Sequence, residues 1–180
     1  SSRHEKLVNE VIKKRHKINY INLNESKKIN LLNSLIKQKK YFLDKTNIKD
    51  KENKEVWNTF KQISQEPPQC LGAYVISMTS KASDILCVYF LQKQTKTKDL
   101  LRVVPLFETL DDLRNAKDVM ENLFKLSWYR KLINNQQEVM IGYSDSSKDA
   151  GKLSASWHQY KLQEELRNLA KQYKINLVFF

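Results

Sequence analysis

The sequence of 180 residues is poor in cysteine, glycine and long apolar runs. Its two cysteines, Cys70 and Cys87, form no C-x-x-C pair and no Cys/His cluster. This excludes a disulfide-rich scaffold, and both are predicted to be reduced thiols in the core of a cytosolic protein. No apolar run approaches the roughly 18 residues that a membrane-spanning helix needs. The first residues also lack the apolar stretch of a signal peptide, so no membrane partner is expected.

Two familiar motifs are absent. Two of the three glycines, Gly142 and Gly151, bound the segment GYSDSSKDAG. Its spacing does not fit a Walker phosphate loop, and Gly142 is not followed by the x-Ser-x-Gly of a nucleophile elbow. The three histidines, His4, His16 and His158, have no metal-ligand spacing and are expected to be structural or exposed.

Arginine is also scarce, with 6 Arg against 26 Lys in a chain of net charge +12. The excess is concentrated in residues 1–65, which carry a net charge of +9, whereas residues 66–180 carry +3. Nucleic-acid surfaces favour arginine for bidentate contacts with bases and phosphates. The lysines here accompany abundant Asn and Ile, which indicates a compositional bias. We therefore expect no nucleic-acid partner.

Hydrophobic periodicity predicts helices at the N-terminal end and strands later in the chain. Helices are predicted over 3–17, 24–43 and 54–64, and the polar stretch 44–54 is predicted to be a surface insertion. Pro67 and Pro68 end the third helix. Short apolar runs then predict strands buried on both faces, at 71–78, 101–107, 138–143 and 175–180.

Helical patterns separate these strands, and the resulting order predicts an α/β fold with parallel strands. Ser83 is a candidate N-cap of the first intervening helix, and Thr109 of a second that extends over 109–134. The third covers 148–173. Because the sequence stops on the apolar run LVFF at Phe180, we expect the sheet to continue in a longer parent protein.

Two carboxylates directly follow predicted strands. Glu108 ends RVVPLFE, and Asp145 ends VMIGYSD. If these strands are neighbours, both residues lie at one edge of the sheet, where parallel α/β folds place their active sites. Such a pair suits Mg²⁺ or Mn²⁺. Lys148 and the start of the following helix would add an anion site. The alternative is that these residues cap helices or interact with helix dipoles.

Several long motifs in one order resemble phosphoenolpyruvate carboxylase. They are GAYVISM, SDIL, RVVPLFETLDDLRNA, WYR, QEVMIGYSDSSKDAG and SASWHQYKLQEEL. The similarity is close over roughly residues 55–180, weaker in 1–20 and poor in 21–54. It implies part of a (β/α)₈ TIM-type barrel over 55–180, incomplete at its C-terminal end. Residues 1–54 would form a Lys/Asn-rich helical region with a divergent insertion.

The resemblance also implies an activity and its residues. The family is a cytoplasmic, homotetrameric carboxy-lyase that fixes carbon dioxide for the tricarboxylic acid cycle. It converts phosphoenolpyruvate and bicarbonate into oxaloacetate and phosphate. By resemblance Glu108 and Asp145 bind Mg²⁺ or Mn²⁺, and Lys148 is a catalytic residue beside the substrates. The metal would stabilise the enolate that attacks carbon dioxide.

Two family motifs are not in this sequence. They are a TAHPT-type motif with the catalytic histidine and an HGRGG motif with a phosphate-binding arginine. We therefore expect this chain to be a fragment that is inactive by itself. Two alternatives stay open: a basic α/β interaction or RNA-binding module without catalysis, and another Mg²⁺-dependent barrel lyase or phosphotransferase.

Overall fold

In the described part of the chain, the fold is built on one four-stranded sheet with helices before and between its strands. A computed structural model describes residues 2–38, 41, 48–142 and 152–180. The helices of these residues are α1 (Ser2–His16), α2 (Glu25–Lys37), α3 (Lys51–Gln65), α4 (Ala82–Gln94), α5 (Leu110–Phe124), α6 (Ser127–Leu132) and α7 (Lys152–Tyr173). The strands are β1 (Ala73–Ile76), β2 (Arg102–Phe107), β3 (Gln136–Ile141) and β4 (Asn176–Phe179).

The four strands lie in the order β1-β2-β3-β4, which is also their order in the chain. β2 and β3 are parallel, with Phe107 opposite Ile141. β3 and β4 are parallel as well, with Val139 opposite Phe179. The predicted α/β fold with a parallel sheet is therefore confirmed.

The helices that connect the parallel strands lie together. α5 contacts α7, α5 also contacts β2, and α7 also contacts β4. Both connections thus run over the same face of the sheet, as expected when every parallel crossover is right-handed and each moves one strand along. Their buried side chains form the core of this part of the protein. They include Leu113, Ala116, Met120, Leu123, Leu162, Leu166 and Leu169.

Burial on both faces was predicted for all four strands, and this is wrong for three of them. In β2 the side chains of Val103, Val104 and Phe107 are buried. In β3 the side chains of Gln137, Val139 and Ile141 are buried, whereas the alternate positions are exposed or half-buried. Val75 in β1 is 45% exposed and Val178 in β4 is 46% exposed. These two strands lie at the edges of the sheet of the described residues, where each has a neighbouring strand on one side only.

Residues 1–73 and 83–101 form one compact unit, and residues 74–82 and 102–180 form the other. In the first unit α1, α2, α3 and most of α4 share a core. α4 is buried on all sides from Ala82 to Gln92. This explains why its apolar residues show no single stripe, since a helix buried all round needs none.

Helix boundaries differ from the prediction in the first unit. α3 begins at Lys51, where Asp50 caps it by accepting a hydrogen bond from the Asn53 N–H at 2.9 Å. The end of the predicted insertion 44–54 is therefore helical. Trp57 is buried in α3. Residues 39–40 and 42–47, where the second helix and the insertion were predicted to meet, lie outside the described residues.

Ser83 is not the N-cap of α4, because the helix already begins at Ala82. The Ser83 N–H and hydroxyl instead donate to the two carboxylate oxygens of Glu25, at 2.9 and 2.7 Å. A carboxylate from α2 thus satisfies the N-terminal N–H of α4 and interacts favourably with its dipole. The prediction failed because the capping group comes from a distant segment.

The predicted helix 109–134 is divided into α5 and α6. Thr109 caps α5 as predicted, and its hydroxyl and the Asp112 carboxylate form a reciprocal capping box. The chain then turns at Lys125 and Leu126. The Arg130 guanidinium bonds the Phe124 carbonyl, which α5 leaves without a helical partner.

Cys87 is buried, as predicted, but Cys70 is exposed in the turn Pro68–Cys70, so the prediction of two core thiols is wrong for Cys70. Its apolar neighbours in the sequence do not enclose it. Among the described residues, no helix combines the length and the hydrophobicity needed to cross a membrane.

Candidate metal site at the strand ends

Glu108 lies at the carboxyl end of β2, directly after Phe107. Its side chain is half-buried at the edge of the sheet. β2 is flanked by β1 and β3, so Glu108 stands between the ends of two neighbouring strands. This is the edge at which the sequence predicted a functional site.

Met78 holds one oxygen of this carboxylate. It lies two residues after the end of β1, and its backbone N–H donates to Glu108 Oε1 at 3.1 Å. The φ of Met78 is 52°, a left-handed conformation that is uncommon for a residue with a side chain. The end of β1 is therefore fastened to the end of β2 through Glu108.

Gly142 packs directly on Glu108 from the other side. A Cβ at this position would lie 2.6 Å from Glu108 Cβ and 3.0 Å from Glu108 Cα. The Gly142 N–H also donates to the Phe107 carbonyl at 2.8 Å. Only glycine allows this close approach of the two strand ends.

Gln159 of α7 also contacts this edge. Its side chain is buried, and its amide Nε2 lies 3.4 Å from the Gly142 carbonyl oxygen. Gly142 is thus hydrogen-bonded to β2 through its N–H and to α7 through its carbonyl. The backbone is held at the point where the segment GYSDSSKDAG begins.

The chemistry of Glu108 suits a hard cation. Within the described part of the chain, its Oε2 accepts no hydrogen bond and no Lys, Arg or His forms an ion pair with it. A half-buried carboxylate with one fixed oxygen and one available oxygen is a suitable ligand for Mg²⁺ or Mn²⁺. No group of three or more His, Cys, Asp or Glu residues with metal-binding geometry occurs among the described residues.

Asp145 and Lys148 lie outside the described residues, as do the serines of the same segment. The structure therefore places Glu108 and Gly142, the first residue of the segment. β2 and β3 are neighbours, as the metal-site hypothesis requires. The pairing of Glu108 with Asp145 stays a prediction.

The histidines lie away from Glu108 in the chain and have local roles. His4 in α1 packs edge-on against Phe60, with ring centroids 5.8 Å apart, and burial lowers its pKa to about 4. His158 in α7 has Nδ1 2.8 Å from the Ser154 carbonyl oxygen. His16 is exposed at the end of α1.

Sequence reasoning assigned no role at this edge to three residues that the structure places there: Met78, Gly142 and Gln159. The glycine itself was a signal, because the chain has only three and this one follows a strand. The left-handed backbone of Met78 has no signal in the sequence, since methionine rarely adopts it. The contact of Gln159 depends on the packing of α7 against the sheet, which local patterns do not reveal.

Comparison with known proteins identifies the family. The sequence model of the phosphoenolpyruvate carboxylase family matches residues 1–180. Phosphoenolpyruvate carboxylase 1 of Flaveria trinervia is 52% identical over 132 residues, which is 73% of this chain and 14% of that protein. The phosphoenolpyruvate carboxylase of Actinobacillus pleuropneumoniae serotype 5b (strain L20) is 54% identical over 129 residues, 72% of this chain and 15% of that protein.

The enzyme of Acinetobacter baylyi (strain ATCC 33305 / BD413 / ADP1) is 53% identical over 127 residues, 71% of this chain and 14% of that protein. The matched part of this chain thus spans about one seventh of the length of these relatives. The family match also includes residues 1–54, where the sequence resemblance was weaker. On these matches, the chain belongs to the phosphoenolpyruvate carboxylase family.

Proposed function

We propose that this chain forms the metal-binding part of an enzyme that carboxylates phosphoenolpyruvate with bicarbonate, giving oxaloacetate and phosphate. The observation that carries the proposal is the placement of Glu108. It stands at the carboxyl end of β2, and among the described residues only one of its carboxylate oxygens accepts a hydrogen bond. It also lies against Gly142, which opens the segment that contains Asp145 and Lys148.

Glu108 and Asp145 would each supply a carboxylate oxygen to Mg²⁺ or Mn²⁺. Asp145 follows Gly142 by three residues, so chain connectivity allows it to reach the edge at which Glu108 stands. Mg²⁺ commonly takes one or two protein carboxylates and leaves its other positions for water and substrate oxygens. Two carboxylates are thus a sufficient protein contribution.

The bound metal ion would act as a Lewis acid and stabilise negative charge on the enolate oxygen of the substrate. Residues of this chain would hold the metal ion and the substrate in place. Glu108 orients the ion, and Lys148 would place a positive charge beside the phosphate or carboxylate of the substrate. The strand ends provide a fixed frame, because Gly142 is bonded to Phe107 and Met78 to Glu108.

The strand order supports a barrel. In a (β/α)₈ barrel each parallel strand lies beside the next in sequence and the helices cover one face. A doubly wound sheet instead reverses its order and carries helices on both faces. The order β1-β2-β3-β4 and the packing of α5 on α7 agree with the barrel. The complete enzyme would be a cytoplasmic homotetramer, as the resemblance implies.

An activity assay on the full-length protein tests the proposal. Oxaloacetate formed from phosphoenolpyruvate, bicarbonate and Mg²⁺ is measured through a coupled malate dehydrogenase. Glu108→Gln and Asp145→Asn are expected to lower kcat at least about a hundredfold, since each removes charge stabilisation from the site. The 180-residue chain alone is expected to form no oxaloacetate.

Glu164→Gln provides a matched control, because Glu164 is an exposed glutamate on α7. It should leave kcat unchanged. Full activity in Glu108→Gln or in Asp145→Asn would refute the assignment of that residue. A full-length protein that binds Mn²⁺ but never forms oxaloacetate would refute the proposed reaction.

A further inference from the structure

The turn after β1 carries conformational strain at an exposed position. Met78 has φ 52°, and the residue is 66% exposed. For a residue other than glycine the left-handed conformation costs about 1 kcal/mol or more. Burial of this side chain does not offset the cost, because most of its surface is in solvent. The strain must be stabilised by something other than side-chain packing.

Backbone contacts on both sides of Met78 account for its conformation. The Met78 N–H donates to Glu108 Oε1 at 3.1 Å. The hydroxyl of Thr79, which is fully buried, donates to the Ile76 carbonyl at 3.0 Å and closes the turn. Hydrogen bonds to an ionised carboxylate are stronger than neutral ones. The left-handed turn therefore aims an N–H at Glu108.

We propose that Met78 is a positioning residue for metal binding, acting through its backbone rather than its thioether. Its N–H occupies Oε1 of Glu108, so that Oε2 is presented to the ion as a single ligand. One-oxygen ligation suits the small octahedral shells of Mg²⁺ and Mn²⁺, whereas Ca²⁺ often takes both oxygens of a glutamate. Met78 thereby favours the smaller ions. This inference rests on the proposed metal role of Glu108.

The experiment replaces Met78 with residues that differ in their tolerance of a left-handed backbone. Glycine and asparagine adopt it readily, whereas valine and isoleucine do not. Mn²⁺ binding to the purified protein is measured from the electron paramagnetic resonance signal of the ion in solution. Met78→Gly and Met78→Asn should keep the dissociation constant within about twofold, and Met78→Val and Met78→Ile should raise it about tenfold.

A second pair of variants tests the same turn through its buried hydroxyl. Thr79→Ser keeps a hydroxyl that can donate to the Ile76 carbonyl, and Mn²⁺ affinity should stay near that of the unsubstituted protein. Thr79→Val keeps the size but removes the donor, and Mn²⁺ binding should weaken severalfold. In Met78→Val, Met78→Ile and Thr79→Val, the preference for Mn²⁺ over Ca²⁺ should fall.

Each alternative result overturns the inference. Equal weakening in Met78→Gly and Met78→Val would assign the effect to the side chain. Equal affinity in all four variants would show that the turn does not position Glu108. If the valine and isoleucine variants do not fold, loss of affinity in Met78→Gly or Met78→Asn still overturns it.

Glu108→Gln separates this inference from the proposed function. Suppose that the unsubstituted protein binds Mn²⁺ and Glu108→Gln does not. Equal Mn²⁺ affinity in all four Met78 variants would then refute the positioning role of Met78 but not the metal site. If Glu108→Gln binds Mn²⁺ as well as the unsubstituted protein does, the proposed metal site itself is wrong.

Discussion

Replacing Gly142 with alanine should destabilise the protein by forcing the ends of β2 and β3 apart. The new Cβ would lie 2.6 Å from Glu108 Cβ, whereas carbon atoms pack best about 3.5–4.0 Å apart. Relief requires a movement of about 1 Å, and the Gly142 N–H bond to the Phe107 carbonyl at 2.8 Å would then be lost. Both atoms that meet the methyl group belong to the rigid base of Glu108, so rotation of a side chain cannot remove the clash.

The cost should be about 2 kcal/mol, within the range for overpacking a well-fitted site. In a domain of this size it corresponds to a fall of roughly 4–8 °C in melting temperature. Thermal and urea unfolding followed by circular dichroism measure it. The same displacement of Glu108 should weaken Mn²⁺ binding.

Gly72→Ala is the matched control. A Cβ at Gly72 would meet nothing within 4 Å. Both substitutions reduce the entropy of the unfolded chain alike, and Gly72→Ala should leave stability unchanged or raise it by up to about 1 kcal/mol. The difference between the two variants therefore isolates the clash. Equal melting temperatures for Gly142→Ala and Gly72→Ala would refute the reasoning.

Three further predictions concern the stability of other parts of the fold. Burial lowers the pKa of His4 from 6.5 to about 4, so His4 is protonated at a higher pH in the unfolded chain than in the folded protein. The free energy of unfolding should therefore fall by up to roughly 3 kcal/mol as the pH drops from 6.5 toward 4. Urea midpoints at pH 7 and pH 5 should converge in His4→Leu, and an unchanged pH dependence there would contradict this assignment. Thr109→Ala should cost about 1 kcal/mol by removing the cap of α5, and Thr109→Ser should cost little; equal losses in both would refute the capping role. Tyr129→Phe leaves the buried Oε1 of Gln137 without its 2.7 Å hydrogen bond from the tyrosine hydroxyl. The free energy of unfolding in urea should fall by about 1–3 kcal/mol. An unchanged urea midpoint would show that this bond does not stabilise the fold.

The strands and the position of Glu108 at a strand end could be predicted because they depend on local patterns. A short apolar run rich in β-branched residues, such as RVVPLF, indicates a buried strand, and the residue that follows such a strand lies at the edge of the sheet. Thr109 was equally predictable, since a capping threonine and the aspartate three residues later are local to the helix start.

The errors involve partners that are distant in sequence. Ser83 is hydrogen-bonded to Glu25 of another helix. The break after α5 has no Pro or Gly that would predict it from the sequence, and the Arg130 side chain bonds the carbonyl at the end of α5. The exposure of Cys70 depends on which elements enclose it. Periodicity carries no information about such contacts, so it could not reveal the packing of Gly142 on Glu108 either.

A double-mutant cycle on Mn²⁺ affinity tests the central claim, that Glu108 and Asp145 bind one metal ion. Mn²⁺ binding is measured in the full-length protein and in Glu108→Gln, Asp145→Asn and the double variant. If both carboxylates ligate the same ion, each single substitution removes most of the affinity and the double variant is little worse than either. Additive losses, or affinity unchanged by either substitution, would contradict the account.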